Sequence, residues 1–299
     1  MKYYILFNEK AGNGQSEHRA RALAEAYEGE IVYMDILKID DYPAFVSALT
    51  PNDTLILCGG DGTLNRFVNN LDGLSLPCDV LYYATGTGND FLKDVNKDDV
   101  EGPLQINKYL VDLPSVEVNG TTYRFLNGVG YGIDGYCCEV GDEIKRNSPQ
   151  KAINYTSIAI KGLLFKYKPT SAKVCVDGEE FSYKKVWIAP TMNGRFYGGG
   201  MMAAPKQARR NPDRTLSLIL LHGTGKLQTL MIFPSIFKGE HIKDEKHVAV
   251  HVGKEITVTF DRPTALQIDG ETILGVTSYT ARSNLLDAKI AEPQATVIE

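Results

Sequence analysis

A glycine-rich segment at the end of a short apolar run is the most informative feature of the sequence. Leu55 to Cys58 is predicted to be a buried strand, and it leads directly into Gly59-Gly60-Asp61-Gly62-Thr63. Glycines tolerate positive φ and let backbone N–H groups converge on phosphate oxygens, while Thr63 can donate a hydroxyl and Asp61 can hold a cation. Leu64 to Leu71 is predicted to be a helix whose positive end faces the same place. The pattern predicts a phosphate-binding loop; the alternative is a tight turn without a ligand.

Three other predicted strands also end in polar residues that could bind phosphate or metal. Asn8 to Gly14 follows the first strand, Asp35 ends the second, and Thr85 to Asp90 follows the fourth. Ligands of open α/β sheets bind at the carboxyl ends of the strands, so these segments are expected to converge. Three convergent glycine-rich loops are a stronger signal than one glycine pattern alone.

The arrangement of the elements predicts two domains. Strand-like and helix-like segments alternate over residues 1–112, which indicates a nucleotide-binding α/β domain with a mostly parallel sheet. Residues 113–280 contain short alternating runs and the hairpin markers Asn119-Gly120 and Asp177-Gly178, which indicate an antiparallel β-sandwich domain that would bind the substrate. The segment from about 281 to 299 is a candidate to return to the first domain.

Composition limits the partners and the compartment. The net charge of -5 does not favour broad attraction to nucleic acid. The five cysteines are odd in number and scattered, which is typical of reduced thiols in a cytosol. No apolar run approaches the roughly 20 residues of a membrane span. We therefore expect a cytoplasmic protein that can contact the inner face of the membrane peripherally; the sequence leaves open whether it forms a homodimer.

Several segments together resemble the diacylglycerol kinase catalytic domain family, specifically the soluble bacterial lipid kinases. They are Asn8 to Gly14, Gly59 to Asn65, Gly86 to Phe91 and Asp269-Gly270-Glu271. The resemblance covers about residues 2–286, with the motifs in the family's order. It implies an NAD kinase/diacylglycerol kinase-like fold, an ATP site in the cleft between the two domains, and dependence on Mg²⁺. It also implies transfer of phosphate to a lipid hydroxyl in phospholipid biosynthesis, with diacylglycerol as the first candidate.

The resemblance assigns roles to individual residues. Glu271 lies where the family places its general base, and Asp61 would be the second catalytic residue. Asp134 would help to organise the metal-bearing site. Relatives often have Thr where this chain has Asp35. The residues implied in nucleotide binding are Asn8, Asp35, Gly59, Gly60, Asp61, Gly62, Thr63, Leu64, Asn65 and Thr87.

The resemblance also implies a structural metal in the second domain. Asp213 would supply a carboxylate, and Arg210 and Thr215 would supply carbonyl oxygens. Relatives usually have Asp-Asp-Gly where this chain has Pro212-Asp213-Arg214, so one carboxylate and one glycine are lost. Because a hard divalent cation favours several oxygen ligands, weakened or absent binding is expected here.

The acceptor side carries a weaker signal. A predicted apolar helix, Ile153 to Tyr167, has Lys161, Lys166 and Lys168 beside it, and these lysines could meet anionic lipid headgroups at a membrane surface. The alternative is an ordinary packed helix with solvated lysines.

Two other functions stay open. One is an NAD kinase-like small-molecule kinase, since such enzymes share the Gly59–Thr63 loop. The other is a nucleotide-binding regulator without turnover, which Asp35 and the altered Asp213 motif favour. The Thr85–Asp90 loop and the Asp269–Glu271 hairpin favour a lipid kinase.

Overall fold

The first part of the chain forms a mostly parallel sheet covered by helices. The computed structural model describes residues 1–9, 16–86, 89–96, 101–148 and 155–283. Within them the strands of the first sheet are β1 (Lys2–Phe7), β2 (Glu30–Asp35), β3 (Thr54–Gly59), β4 (Asp79–Ala84) and β5 (Leu104–Gln105). Their order is β2-β1-β3-β4-β5, and only β5 runs antiparallel to its neighbour. The helices are α1 (Ser16–Ala24), α2 (Tyr42–Ser47), α3 (Asp61–Leu71), α4 (Asp90–Val95) and α5 (Asn107–Leu110), with a 3-10 turn at Ile36–Lys38.

The central strand β3 explains how the sheet holds its site. All six of its residues are buried, as is usual for a parallel strand with both faces covered. Leu55 and Leu57 pack on one face with residues of α3, whereas Ile56 and Cys58 pack on the other face with residues of α1. The helices therefore lie on both faces, and the predicted α/β fold is confirmed.

The second part of the chain forms an antiparallel sheet. Its strands among the described residues are β6 (Ser115–Val118), β7 (Thr121–Arg124), β8 (Gly128–Tyr131), β9 (Thr170–Val176), β10 (Glu179–Val186), β11 (Thr191–Met192), β12 (Leu216–Leu221), β13 (Val248–Gly253), β14 (Glu255–Ile268) and β15 (Glu271–Arg282). The long strand β14 pairs with β9 through its first half and with β8 through its second half, and with β15 along both. Side chains from β6, β8, β9, β12, β14 and β15 form one apolar core of this half of the chain. The predicted antiparallel fold of this half is confirmed.

In the part of the chain that the structure describes, three helices accompany this sheet. They are α6 (Ile133–Asn147), α7 (Tyr155–Lys161), which continues into a π-helical turn at Gly162–Lys166, and α8 (Lys226–Ile236); a 3-10 turn spans His241–Lys243. The sequence analysis predicted a single helix here, over residues 153–167, and it missed α6 and α8. In the described part of the chain no helix is both long and apolar enough to cross a membrane.

The two sheets lie on either side of the domain boundary predicted at residues 112 and 113. The first sheet ends at Gln105 and the second begins at Ser115. Ala281 and Arg282 belong to β15, where they pair with β6 of the second sheet. Residues 284–299, for which a return to the first domain was predicted, lie outside the described residues.

Candidate active site

The glycine-rich loop between β3 and α3 is tightly packed at two glycines. A Cβ atom on Gly59 would lie 2.4 Å from the Cβ of Thr63, and one on Gly86 would lie 2.7 Å from the Cα of Gly60. The amide of Thr85 also donates to the carbonyl of Gly59 at 2.8 Å. Glycine at position 59 leaves room for Thr63 within the loop, and glycine at position 86 lets the loops after β3 and β4 touch, as the sequence predicted. The helix begins three residues earlier than predicted, at Asp61 rather than Leu64.

The first turn of α3 leaves backbone donors at this place. The amides of Thr63 and Leu64 donate to the carbonyl of Gly60 at 3.0 and 3.1 Å. The amides of Asp61 and Gly62 precede them, at positions where a helix has no internal acceptor. Together with the helix dipole, these two N–H groups form the kind of site that binds a phosphate oxygen.

The carboxylate of Asp61 caps the next helix. It accepts hydrogen bonds from the amides of Asp90 at 2.7 Å and Phe91 at 3.0 Å, which begin α4. Burial, followed by the nearby Asp90 carboxylate, raises the pKa of Asp61 to about 7. Asp61 is therefore held in place by backbone donors, and its negative charge is destabilised unless a proton or a cation neutralises it.

Two other aspartates connect the domains. Asp90 accepts from the amides of Gly199 at 2.8 Å and Gly200 at 2.6 Å, which belong to the second half of the chain. Asp269, at the β14–β15 turn, accepts from the amides of residues 126, 127 and 128 and from the side-chain amide of Asn65. Burial raises the pKa of Asp269, and these four hydrogen bonds oppose that effect. Both carboxylates thus fix one domain against the other.

A buried ion-pair cluster lies beside them. Asp94, on α4, accepts from Arg195 and Arg209, each through the Nε atom at 2.6 Å. Arg209 also donates to the carbonyl of Leu126 and to the side chain of Asn127. The sequence analysis missed this cluster. The available signal was the spacing of Asp90 and Asp94, which puts two acidic residues on the same face of one short helix.

Glu271 faces the glycine-rich loop from the second domain. The turn before it uses left-handed backbone at Asp269 (φ 47°) and Gly270 (φ 98°), and Glu271 is the first residue of β15. A Cβ atom built on Gly62 would lie 3.9 Å from the Oε1 atom of Glu271. The side chain is exposed. An exposed carboxylate thus lies across a narrow gap from the first turn of α3.

Asp134 is the most unusual group near the cleft. It is buried in the first turn of α6, and neither of its carboxylate oxygens has a hydrogen-bond partner with acceptable geometry among the described residues. Burial raises its pKa to about 7, although the nearby backbone amides of Asp134 and Gly135 and the Tyr197 hydroxyl oppose this effect. A Cβ atom on Gly130 would lie 1.9 Å from one oxygen, so only glycine leaves room for this carboxylate.

The remaining predicted nucleotide-binding residues differ in their surroundings. Asp35 is buried, and it caps the 3-10 turn by accepting from the amide of Leu37 at 3.1 Å. Asn8 is half-buried after β1. Leu64 lies in the core of the first domain, and Asn65 is buried against Asp269. Thr87 lies outside the described residues.

The predicted structural-metal residues do not form a set of free oxygen ligands. Arg210 and Asp213 are exposed. The carbonyl of Thr215 already accepts hydrogen bonds from the side-chain amides of Gln207 and Asn211, both at 2.9 Å. Within the described residues, no cluster of three or more His, Cys, Asp or Glu side chains has the geometry of a metal site. The residues around Thr215 therefore do not fit the cation that the resemblance implies.

A cavity of about 510 Å³ opens between α6, the end of the π-helical turn and the β14–β15 hairpin. Its cationic lining residues are Lys166, Lys168 and Arg262, and its apolar lining includes Tyr136 and Leu274. Glu139 also lines the cavity. A cavity that combines cationic and apolar side chains can accommodate an amphiphile with a polar or anionic head.

The family models divide the chain in the same way as the two sheets. Residues 2–111 match the diacylglycerol kinase catalytic domain, and residues 127–288 match the YegS C-terminal NAD kinase beta sandwich-like domain. The second match covers more than half of the chain. The protein therefore belongs to the family of the YegS C-terminal domain, and the match of residues 2–111 adds a diacylglycerol kinase catalytic domain, so it is a lipid kinase by family.

Individual relatives match over most of their length. The diacylglycerol kinase of Mycobacterium tuberculosis (strain H37Rv) is 24% identical over 253 residues, which is 81% of this chain and 80% of the relative. The diacylglycerol kinase of Bacillus subtilis (strain 168) is 26% identical over 232 residues, or 75% of this chain and 73% of the relative. A crystal structure of a diacylglycerol kinase from Bacillus anthracis superposes with a TM-score of 0.62 at 18% identity, covering 95% of this chain and 94% of that one. The superposition shows a shared fold.

Proposed function

We propose that this protein is an ATP-dependent kinase that transfers the γ-phosphate to a lipid hydroxyl, with Glu271 as the general base. One observation carries the proposal: the 3.9 Å separation between the Oε1 atom of Glu271 and a Cβ position on Gly62. Two segments more than 200 residues apart in sequence thereby form the two sides of one cleft. One side offers amide donors for phosphate, and the other offers a carboxylate.

Phosphoryl transfer requires the groups that meet in this cleft. The reaction needs alignment of the two substrates, neutralisation of phosphate charge, and acceptance of the proton from the attacking hydroxyl. The amides of Asp61 and Gly62 would bind phosphate oxygens. Glu271 would accept the hydroxyl proton while the acceptor oxygen bonds to the γ-phosphorus, the bond to the bridging oxygen breaks, and ADP leaves.

The carboxylates near the cleft fit a divalent cation such as Mg²⁺. Neither buried oxygen of Asp134 has a hydrogen bond of acceptable geometry from the described residues, and burial raises the pKa of both Asp134 and Asp61 to about 7. Carboxylate oxygens are the ligands that Mg²⁺ prefers, and Asp134 and Asp61 are the residues that would hold it, directly or through water. When bound, Mg²⁺ neutralises phosphate charge.

The cavity beside the hairpin supports a lipid acceptor at a membrane surface. Leu274 follows Glu271 by three residues on β15, which corresponds to about 10 Å along a strand. Phe165, next to Lys166, is 74% exposed, and Leu274 is 57% exposed. Exposed apolar side chains beside lysines are typical of a surface that inserts among lipid headgroups. The acceptor hydroxyl would approach Glu271 from this side.

A transfer assay with several acceptors tests the proposal. The protein is incubated with γ-labelled ATP, Mg²⁺ and, separately, diacylglycerol, phosphatidylglycerol, a sphingoid base or NAD. We expect label in a lipid product, with diacylglycerol as the first candidate. Transfer to NAD alone would contradict the lipid assignment, and ATP binding without transfer to any acceptor would indicate a regulator.

A further inference from the structure

The loop from Gln207 to Thr215, here called the 207–215 loop, lies where the family resemblance implies a structural cation. Such a cation would hold the loop by drawing carbonyl oxygens together. In this chain the carbonyl oxygens do come together, but they meet the side-chain amides of two residues of the loop itself. These two residues, Gln207 and Asn211, are not among the predicted metal ligands.

The side-chain amide of Gln207 is the first of two that bind carbonyl groups of the loop. Gln207 is 7% exposed, and its amide nitrogen donates to the carbonyl of Thr215 at 2.9 Å, with longer bonds of 3.4 Å to the carbonyls of Asn193 and Ala208. Its amide oxygen accepts from the hydroxyl of Ser217 at 2.6 Å. Both ends of this buried amide are thus paired, as a buried polar group requires.

The side-chain amide of Asn211 is the second that binds carbonyl groups of the loop. Its amide nitrogen donates to the carbonyls of Ala208 and Thr215, both at 2.9 Å. Its amide oxygen accepts from the backbone amide of Thr215 at 2.9 Å and from the Thr215 hydroxyl at 3.2 Å. Asn211 therefore closes the loop by binding both the donor and the acceptor of Thr215.

These contacts leave little for a cation to bind. A carbonyl oxygen has two lone pairs, and Thr215 already receives an N–H group from each of the two side-chain amides. Asp213 is exposed and makes no hydrogen bond or ion pair with any described residue. Arg214, next to it, brings a positive charge and forms an ion pair with Asp112 at 3.1 Å.

We propose that the side-chain amides of Gln207 and Asn211 replace the structural cation, so that the 207–215 loop keeps its shape without any metal. The loop contains Arg209, whose guanidinium binds Asp94 of the first domain and the carbonyl of Leu126. The amides consequently position a residue that joins the domains. This inference concerns the loop alone and does not depend on the proposed function.

Two alanine variants distinguish a loop held by amides from a loop held by a metal, because the two arrangements predict opposite orders of stability for these variants. We expect Asn211→Ala to lower the melting temperature by about 3–6 °C, since four hydrogen bonds are lost. Asp213→Ala, the matched control two residues away, should leave it within about 1 °C. Without nucleotide, any change in melting temperature between EDTA and millimolar Ca²⁺ should be the same in the unaltered protein and in Asp213→Ala, because a cation bound in the cleft does not involve the loop.

The reverse order would overturn the proposal. If Asp213→Ala lowers the melting temperature more than Asn211→Ala does, the loop depends on a carboxylate and not on an amide. A rise in melting temperature with Ca²⁺ that disappears in Asp213→Ala would overturn it equally. Because both readouts are thermal, they do not change if the protein proves to have another catalytic function.

Discussion

The interdomain cleft and the 207–215 loop both gather oxygen atoms, but they balance the resulting charge differently. In the loop, N–H groups of the protein, most of them from the neutral side-chain amides of Gln207 and Asn211, bind the carbonyls of Ala208 and Thr215. In the cleft, Asp134 is buried and Asp61 is half-buried, and desolvation raises the pKa of each to about 7, so their charged forms need a proton or a cation. The difference separates a structural region from the proposed ligand-binding region, where carboxylate charge is left without a neutralising partner among the described residues.

Asp269 refines the comparison because it lies at the cleft but resembles the loop. Its carboxylate receives four N–H groups from protein, whereas the carboxylate of Asp134 receives none with acceptable geometry from the described residues. Position at the cleft therefore does not decide the role of a carboxylate. Its hydrogen-bond partners do, and the predictions below test that rule.

The largest expected effect is on the ion-pair cluster that joins the domains. Arg209→Met removes one of the two cations that bind Asp94 and leaves that buried carboxylate under-neutralised, so we expect a loss of about 3 kcal/mol in the free energy of unfolding, measured by urea denaturation. The control is Arg214→Met, which removes the exposed ion pair with Asp112 and should cost less than about 1 kcal/mol. Equal losses in the two variants would show that the cluster is not a structural connection.

A somewhat smaller loss in the free energy of unfolding is expected for a substitution in the β14–β15 turn. Asp269→Asn keeps a residue that tolerates left-handed backbone but points an NH₂ group at backbone donors, which should cost about 2 kcal/mol. Asp112→Asn is the matched control, because Asp112 also has positive φ (56°) and lies at the surface. The same denaturation measurement should show a change below about 0.5 kcal/mol for this control. A cost at Asp112 equal to that at Asp269 would mean that backbone conformation, not hydrogen bonding, explains the effect.

Asp134 should behave in the opposite way. Its pKa is raised from 3.8 to about 7 in the folded protein, so the folded state binds more protons than the unfolded state and stability falls as the pH rises from about 4 to 7. Asp134→Asn removes this penalty, and we expect the variant to gain about 2 kcal/mol at pH 8 without nucleotide or Mg²⁺. A series of melts between pH 5 and pH 8 should show a flatter profile for the variant. A loss of stability at pH 8 would mean that the carboxylate has structural partners.

The smallest expected effect concerns backbone strain in the 207–215 loop. Arg214 has φ of 50°, a conformation that suits glycine, and relatives are expected to have glycine there. Arg214→Gly should raise the free energy of unfolding by about 0.5 kcal/mol, since the relief of strain exceeds the loss of an exposed ion pair. Arg214→Ala serves as the control, because it loses the ion pair but keeps the strain. If the two variants are equally stable, the left-handed conformation at this position is not strained.

The sequence predicted the parts of the site that depend on local pattern. Gly59 to Thr63 carries its meaning in consecutive residues, and the Asp269–Glu271 turn is a short hairpin signal. The two sheets followed from strand spacing and turn residues. The hydrogen bonds that join the two domains could not be predicted because their partners are distant in sequence. Asp269 binds the amide of Leu126 across 143 residues and the side chain of Asn65 across 204 residues. Helix α6 was missed because Asp134, in its first turn, was assigned only a role in the site and not a place in a helix.

The most direct test of the cleft is the comparison of binding with transfer in Glu271→Gln. If Glu271 accepts the hydroxyl proton opposite phosphate-binding amides, the variant should bind ATP with unchanged affinity while phosphate transfer to the lipid acceptor falls by about 10²–10⁴-fold. Glu117→Gln, an exposed glutamate of β6 in the second domain, should leave both quantities unchanged. Retention of transfer by Glu271→Gln would contradict the account, because the two sides of the cleft would then not act on the same reaction.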